Sequence, residues 1–217
     1  MQEALFSLII GIVTTILAAL IAEKLYHTPS ATVFSRRWSR RILVGLGSRI
    51  IHHNSLPRDL IRNLIQNAKD RIWVLDSWIA RSDVLPDPSA VTSVNPDVNV
   101  NMLILGQEAM RELLPLRLAA VGKPNAAGFS QDAVVDLIRK CEHFQWNVEI
   151  KTYETLPVFN MIIIDDHMFI GFYWTNRISS EGPFLEVVDA KSTLYAESEK
   201  MFIEMFDKAS IYSITNL

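Results

Sequence analysis

The chain has one cysteine, Cys141, and eight glycines among its 217 residues. A single thiol closes no intrachain disulfide, so the fold must be held by its core, as suits a reducing compartment. Neither a G-x-x-x-x-G-K-[ST] run nor a G-x-G-x-x-G run is present, which removes the P-loop and dinucleotide fingerprints. Cys/His spacing for a metal site is also lacking. His52 and His53 are adjacent, and neighbouring side chains point apart on a helix or a strand. No metal and no cofactor is expected. Net positive charge is lacking after the first fifty residues: residues 1–50 carry a net +4 and residues 51–217 a net −7. Bulk nucleic-acid binding rests on phosphate neutralisation, so an acidic domain is poorly suited to it. A short nucleotide in a local pocket stays compatible with that charge.

What the chain does have is an uncharged stretch from Ala4 to Ala22, ALFSLIIGIVTTILAALIA. As a helix it is roughly 28 Å long, close to the ~30 Å hydrocarbon core of a bilayer. A cleaved signal peptide would have a basic segment before the apolar run. Here only Met1, Gln2 and Glu3 precede it, and the basic residues Lys24, Arg36, Arg37, Arg40, Arg41 and Arg49 follow it. A buried helix of a soluble domain would show a polar face, and none is visible. The stretch reads as a retained single-pass transmembrane helix. Its basic flank places the C-terminal bulk in the cytoplasm, at a bacterial inner membrane. Ser7, Gly11, Thr15 and Ala19 recur every fourth residue, and Thr14, Ala18 and Ala22 form a neighbouring row. Small residues at this spacing let helices approach closely, so a homo-oligomer in the lipid bilayer is expected. With Ser7, Thr14 and Thr15 inward, such an oligomer can line a pore; the same residues also serve a plain dimer.

The expected layout is residues 1–25 as the transmembrane helix, 26–55 as a basic juxtamembrane connector and 56–217 as the cytosolic domain. In the connector, Pro29 ends the first helix, and SRRWSRR presents arginines and Trp38 as an interfacial segment does. A plain solvated flank is the alternative. Beyond it, Leu56–Asp70 has helical apolar spacing, and Ile72–Ile79 is rich in β-branched and aromatic residues, as strands are. Val98–Leu105 reads as a buried strand, and Gln107–Val121 as a helix that Pro115 must break or kink. A helix from Ser130 to about His143 leads into the strand WNVEIKTY. Two apolar runs then flank Asp165-Asp166-His167, as in a tight hairpin. Phe184–Val188 is a further strand. Ser192 to about Ser210 is a closing helix with Leu194, Met201, Phe202, Met205 and Phe206 on its apolar side. The class is α/β, with a partly antiparallel C-terminal half.

The stretch Leu156–Trp174, LPVFNMIIIDDHMFIGFYW, resembles the core of a phospholipase D-like domain. That family carries His-x-Lys-x4-Asp on a strand, then a hairpin and a Gly-Ser. The resemblance extends over roughly Leu56–Ser210 and implies a mixed sheet flanked by helices. One repeat of the family has about this size and shares its active site with a second repeat, so it implies a dimer. Aligning Asp165 with the motif aspartate puts Asn160 at the lysine and Val158 at the histidine. Phe172 follows Gly171 where the family has serine. Valine cannot attack phosphorus, and asparagine supplies hydrogen bonds but no cation. No catalytic residue is therefore assigned, and the chain is expected not to be an enzyme. It resembles the degenerate, membrane-anchored members of the family, similar in their two-part plan to bacterial anti-phage effectors.

A cleft that has lost its nucleophile can still hold a ligand. Asn160 is placed to donate to phosphate oxygens, and Tyr173 and Trp174 to stack a base. Asp76 and Trp78 end the first strand, where ligands gather in α/β sheets. Arg117 and Arg177 suit phosphate, and Asp165 completes the candidate set. Trp78 and Trp174 equally suit the core, and Asp165 a turn; His167 reads as a solvated turn residue. The leading expectation is a channel-forming or membrane-disrupting effector that senses a nucleotide or short oligonucleotide in anti-phage defence. A membrane-tethered phosphodiesterase or nuclease with a non-standard site and a non-channel membrane scaffold are the alternatives.

Overall fold

The computed structural model describes residues 49–76, 85, 94–120, 131–155, 159–173 and 179–212. The expected transmembrane helix, with Ser7, Gly11, Thr14, Thr15, Ala18 and Ala19, lies outside them, as do the connector up to Ser48 and Trp78, Val158, Trp174 and Arg177. Among the described residues no helix is long and apolar enough to cross a membrane. The chain divides into two units, Met1–Ser48 and Arg49–Leu217, and the second holds the sheet.

The elements run β1 (Ile50–His53), α1 (Arg58–Gln66), β2 (Arg71–Asp76), β3 (Asn99–Leu105), α2 (Gln107–Ala120), α3 (Gln131–His143), β4 (Asn147–Tyr153), β5 (Phe159–Ile164) and β6 (His167–Phe172). A 3-10 turn (Ser179–Glu181), β7 (Phe184–Val188), α4 (Thr193–Lys208) and β8 (Ser210–Ile211) complete them. All eight strands form one sheet in the order β1-β7-β6-β5-β2-β3-β4-β8. β2, β3 and β4 are parallel, and the remaining pairings are antiparallel. The α/β class with an antiparallel C-terminal half is thus observed. The sheet begins at Ile50, inside the stretch read as connector. Its short IIHH segment is too brief to show a period, and only pairing with β7 makes it a strand.

Helices cover the sheet because its inner strands are apolar on both faces. Every residue of β5, FNMIII, is buried, the continuous apolar pattern of a strand packed on two sides. On one face Ile72, Val100, Ile104, Ile162, Phe169 and Phe184 join Ile61 and Ile65 of α1 and Val134, Leu137 and Cys141 of α3. On the other, Trp73 stacks on Phe202 of α4 with centroids 5.1 Å apart, and Phe202 in turn meets Phe206 at 5.7 Å.

Three local expectations are revised. α1 is confined to Arg58–Gln66, shorter than Leu56–Asp70. α2 continues through Pro115; the ring removes one N–H from the ladder without ending the helix. α4 starts where expected, with the Ser192 hydroxyl accepting from the Tyr195 N–H at 3.2 Å. Its buried positions are Tyr195, Ser198, Phe202 and Phe206; of the expected apolar side Phe202 and Phe206 hold, and Leu194, Met201 and Met205 are half-buried. A tyrosine takes an interior place because its hydroxyl finds partners there.

Candidate functional site

The parallel strands end together, and their carboxyl ends gather a group of polar side chains. Asp76 closes β2 and is 3% exposed. Tyr173 directly follows β6 and donates its hydroxyl to Asp76 Oδ1 at 2.8 Å. Arg117, in the last turn of α2, lies over the Tyr173 ring, with Cζ 4.6 Å from the centroid. This is a cation–π stack. Burial pulls the Arg117 guanidinium below its ordinary value, and Tyr173 opposes that shift. Tyr153 closes β4; burial, then Tyr173 and Asp76, push its phenol upward.

Asn160 belongs to the same end. β5 runs antiparallel to β2, with Leu75 opposite Met161, so the next position outward brings Asp76 beside Asn160 on one face. Asn160 is 0% exposed. Neither its Nδ2 nor its Oδ1 has a hydrogen-bond partner, and the same holds for Tyr153 Oη and Arg117 Nη2. Buried polar atoms without partners cost about 1–3 kcal/mol each. Among the described residues four such atoms, one of them on α2, lie at this end of the sheet, and each calls for a partner. Gly171, opposite Asn160 on β6, is required here: a Cβ would meet the Phe184 ring and come within 2.5 Å of Asn160 Oδ1.

Asp165 does not join this group. It sits in the β5–β6 turn, at the other end of β2, with φ of 47°. Five strand steps separate the two ends, roughly 17 Å. Its carboxylate accepts backbone N–H groups from Lys69 at 2.9 Å, Asp70 at 3.0 Å and Arg71 at 3.1 Å. Both oxygens are therefore committed to the α1–β2 connection, and Asp tolerates the left-handed turn conformation. The turn reading of Asp165 is the one the geometry favours over a ligand-binding one. Of the candidate residues, then, Asp76, Arg117, Asn160 and Tyr173 come together, and Asp165 stands apart.

Tyr153 escaped the sequence reading, since a tyrosine at the end of an alternating strand carries no mark of function. Glu186 escaped it as well. This carboxylate is 3% exposed on β7. It meets His53 Nε2 at 2.8 Å through Oε2 and His167 Nδ1 at 3.0 Å through Oε1. His167 is thus a partner of a buried carboxylate and not a solvated turn residue. Strand alternation puts Glu186 on the core side, where two imidazole N–H groups satisfy it. Among the described residues no group of three His, Cys, Asp or Glu side chains is arranged to hold a metal ion.

No protein family and no curated protein matches the sequence. Among solved structures, the chain is similar to TrmBL2, an archaeal chromatin protein, with TM-score 0.44 and 12% identity over 92% of this chain and 70% of that one. It is also similar to NucT from Helicobacter pylori, with TM-score 0.42 and 11% identity over 76% of this chain and 99% of that one. A third is phosphatidylserine synthase from Haemophilus influenzae, with TM-score 0.43 and 10% identity over 76% of this chain and 40% of that one. None of the three assigns a role to a residue here.

Proposed function

We propose that this protein is a single-pass effector of the bacterial inner membrane, with a catalytically inactive, degenerate phospholipase D-like domain in the cytoplasm that binds a nucleotide or short oligonucleotide. The observation that carries the reading is the set of unpaired buried atoms on Asn160 and Arg117 beside the Asp76–Tyr173 hydrogen bond, with Tyr153 Oη unpaired at the same end of the sheet. These groups offer donors, acceptors, a cation and an aromatic face, the means by which proteins hold nucleotides. A covalent phosphohistidine route lacks its nucleophile, because the sequence has Val158 and Asn160 where the family has histidine and lysine. The output then falls to the Ala4–Ala22 helix, whose Ser7–Gly11–Thr15–Ala19 row supports a homo-oligomeric channel or membrane-disrupting assembly, with anti-phage defence as its biological setting. Binding shifts that assembly only if the ligand prefers one of its states.

The test is nucleotide titration and dye release with the full chain in detergent and in liposomes. A nucleotide or short oligonucleotide should bind, alter liposome leakage and lose affinity about tenfold on Asn160→Ala substitution. Gly11→Leu should abolish oligomerisation and leakage. Phosphodiester hydrolysis by the pure protein, or a strict monomer in detergent, would overturn the reading.

A further inference from the structure

We infer that this site takes the hydrogen-bonding edge of a nucleobase at Asn160 and Asp76 and keeps phosphate on the Arg117 side; the inference rests on the nucleotide-binding reading above. Asn160 presents a donor, Nδ2, and an acceptor, Oδ1, both buried and both unpartnered. Phosphate oxygens only accept. A phosphate at Asn160 would satisfy Nδ2 and leave Oδ1 facing a negative charge. A base edge carries donor and acceptor side by side, and asparagine matches such an edge with two bonds.

Asp76 points the same way. Its carboxylate is 3% exposed and neighbours Asn160 across the β2–β5 ladder. An anion brought beside it would be repelled in a region of low dielectric, whereas the amino and ring N–H groups of a base are donors to it. Gly171 and the Phe184 ring already fill the β6 side of Oδ1, where not even a Cβ fits, so the edge is met from the β2 side, where Asp76 lies. The cation stands farther out. Arg117 sits on the Tyr173 ring with Nη2 unpaired, which makes it the seat for phosphate. Arg117 and Tyr173 are both half-buried, unlike Asn160 and Asp76. A base N–H then takes the place of the Tyr173 hydroxyl on Asp76. Asn160 therefore reads the base, in place of the phosphate-donor role expected from the sequence.

The experiment is calorimetric titration of the full chain in detergent with the four ribonucleoside 5′-monophosphates, their nucleosides and inorganic pyrophosphate. At least one nucleoside should bind within about tenfold of its monophosphate, since the base edge supplies the buried contacts, and pyrophosphate should not compete with it. Asn160→Asp, which keeps shape but removes the donor, should weaken nucleoside and monophosphate alike by about tenfold or more. Arg117→Gln should weaken the monophosphate more than the nucleoside. Monophosphates that bind while every nucleoside fails would overturn the base-inward arrangement and leave the nucleotide reading standing. So would pyrophosphate binding lost in Asn160→Asp. If nucleotides bind in no form, the nucleotide reading falls and this inference with it. Thermal unfolding reports whether Asn160→Asp is folded; if it is not, the Arg117→Gln comparison decides.

Discussion

The two ends of strand β2 differ in how their polar groups are used. At its start, Arg71 pairs with Glu199 of α4, donates to the Tyr195 hydroxyl at 3.2 Å and lies over the Trp73 ring at 4.7 Å. Tyr195 donates to the Asp165 carbonyl at 2.5 Å, and the Asp165 carboxylate collects three backbone N–H groups. One buried orphan atom remains there, Arg71 Nε. At the other end Asp76 and Tyr173 are joined, yet four atoms on Asn160, Tyr153 and Arg117 are left unpaired. The same sheet thus has one end in which polar groups tie elements together and one in which they are held in reserve. Satisfied networks rigidify a fold, and unsatisfied ones weaken it unless a ligand completes them.

Substitutions can break that contrast. Asp165→Ala should cost the most, about 3 kcal/mol by urea unfolding, because three amides lose a charged acceptor; ligand affinity should not change. If stability is unaltered, the start of β2 is not the structural end. Gly171→Ala should cost about 2 kcal/mol, since its Cβ meets the Phe184 ring and Asn160 Oδ1. Loss of binding should accompany it. Tyr195→Phe should cost about 1.5 kcal/mol at neutral pH through loss of the bonds to Asp165 and Arg71.

That last variant also carries a pH signature. Burial pushes the Tyr195 phenol up to about 12, Arg71 opposing and Glu199 adding to the shift. The folded state thus holds its proton more tightly than the unfolded chain. The associated stability is complete below about pH 10 and declines as pH rises toward 12. Cys141, pushed by burial up to about 12, loses its contribution over an overlapping range that starts lower. Tyr195→Phe should flatten only its own part of the decline in an unfolding series. The smallest effect is expected from Asn160→Leu, and with opposite sign. Removing a buried amide without partners should raise stability by about 1 kcal/mol while binding is lost. A destabilised Asn160→Leu that still binds would remove the distinction between the two ends.

Much of the fold was legible because burial on both faces leaves long apolar runs. NMLIL in β3 and FNMIII in β5 could hardly be anything but inner strands. The hairpin turn at Asp165-Asp166 was legible from turn chemistry, and the α4 start from Ser192. β1 was not, because four residues carry no period and the strand depends on β7. The α4 face was misread where Tyr195, polar-tipped, takes a buried place through partners far away in sequence. Within the site, Asp76, Arg117, Asn160 and Tyr173 were named from motif position and chemistry. Tyr153 was not, since nothing local distinguishes it from any strand tyrosine. His167 was misjudged because its partner, Glu186, is reached through strand pairing and not through a motif.

The sequence by itself determined the class of the chain: an apolar N-terminal run and a domain of alternating helices and strands. These are properties of residue type and order, which short-range periodicity and side-chain chemistry express directly. Only the tertiary structure decided which polar groups meet. Asp76, Arg117, Tyr153, Asn160 and Tyr173 come from β2, α2, β4, β5 and the end of β6, and the common direction of the parallel strands collects them at one end. Asp165, five residues beyond Asn160, is carried by a single extended strand to the opposite end, where backbone amides claim it. Strand direction and register are long-range properties of the sheet, and they separate a carboxylate held by backbone amides from a buried amide without partners on the same hairpin.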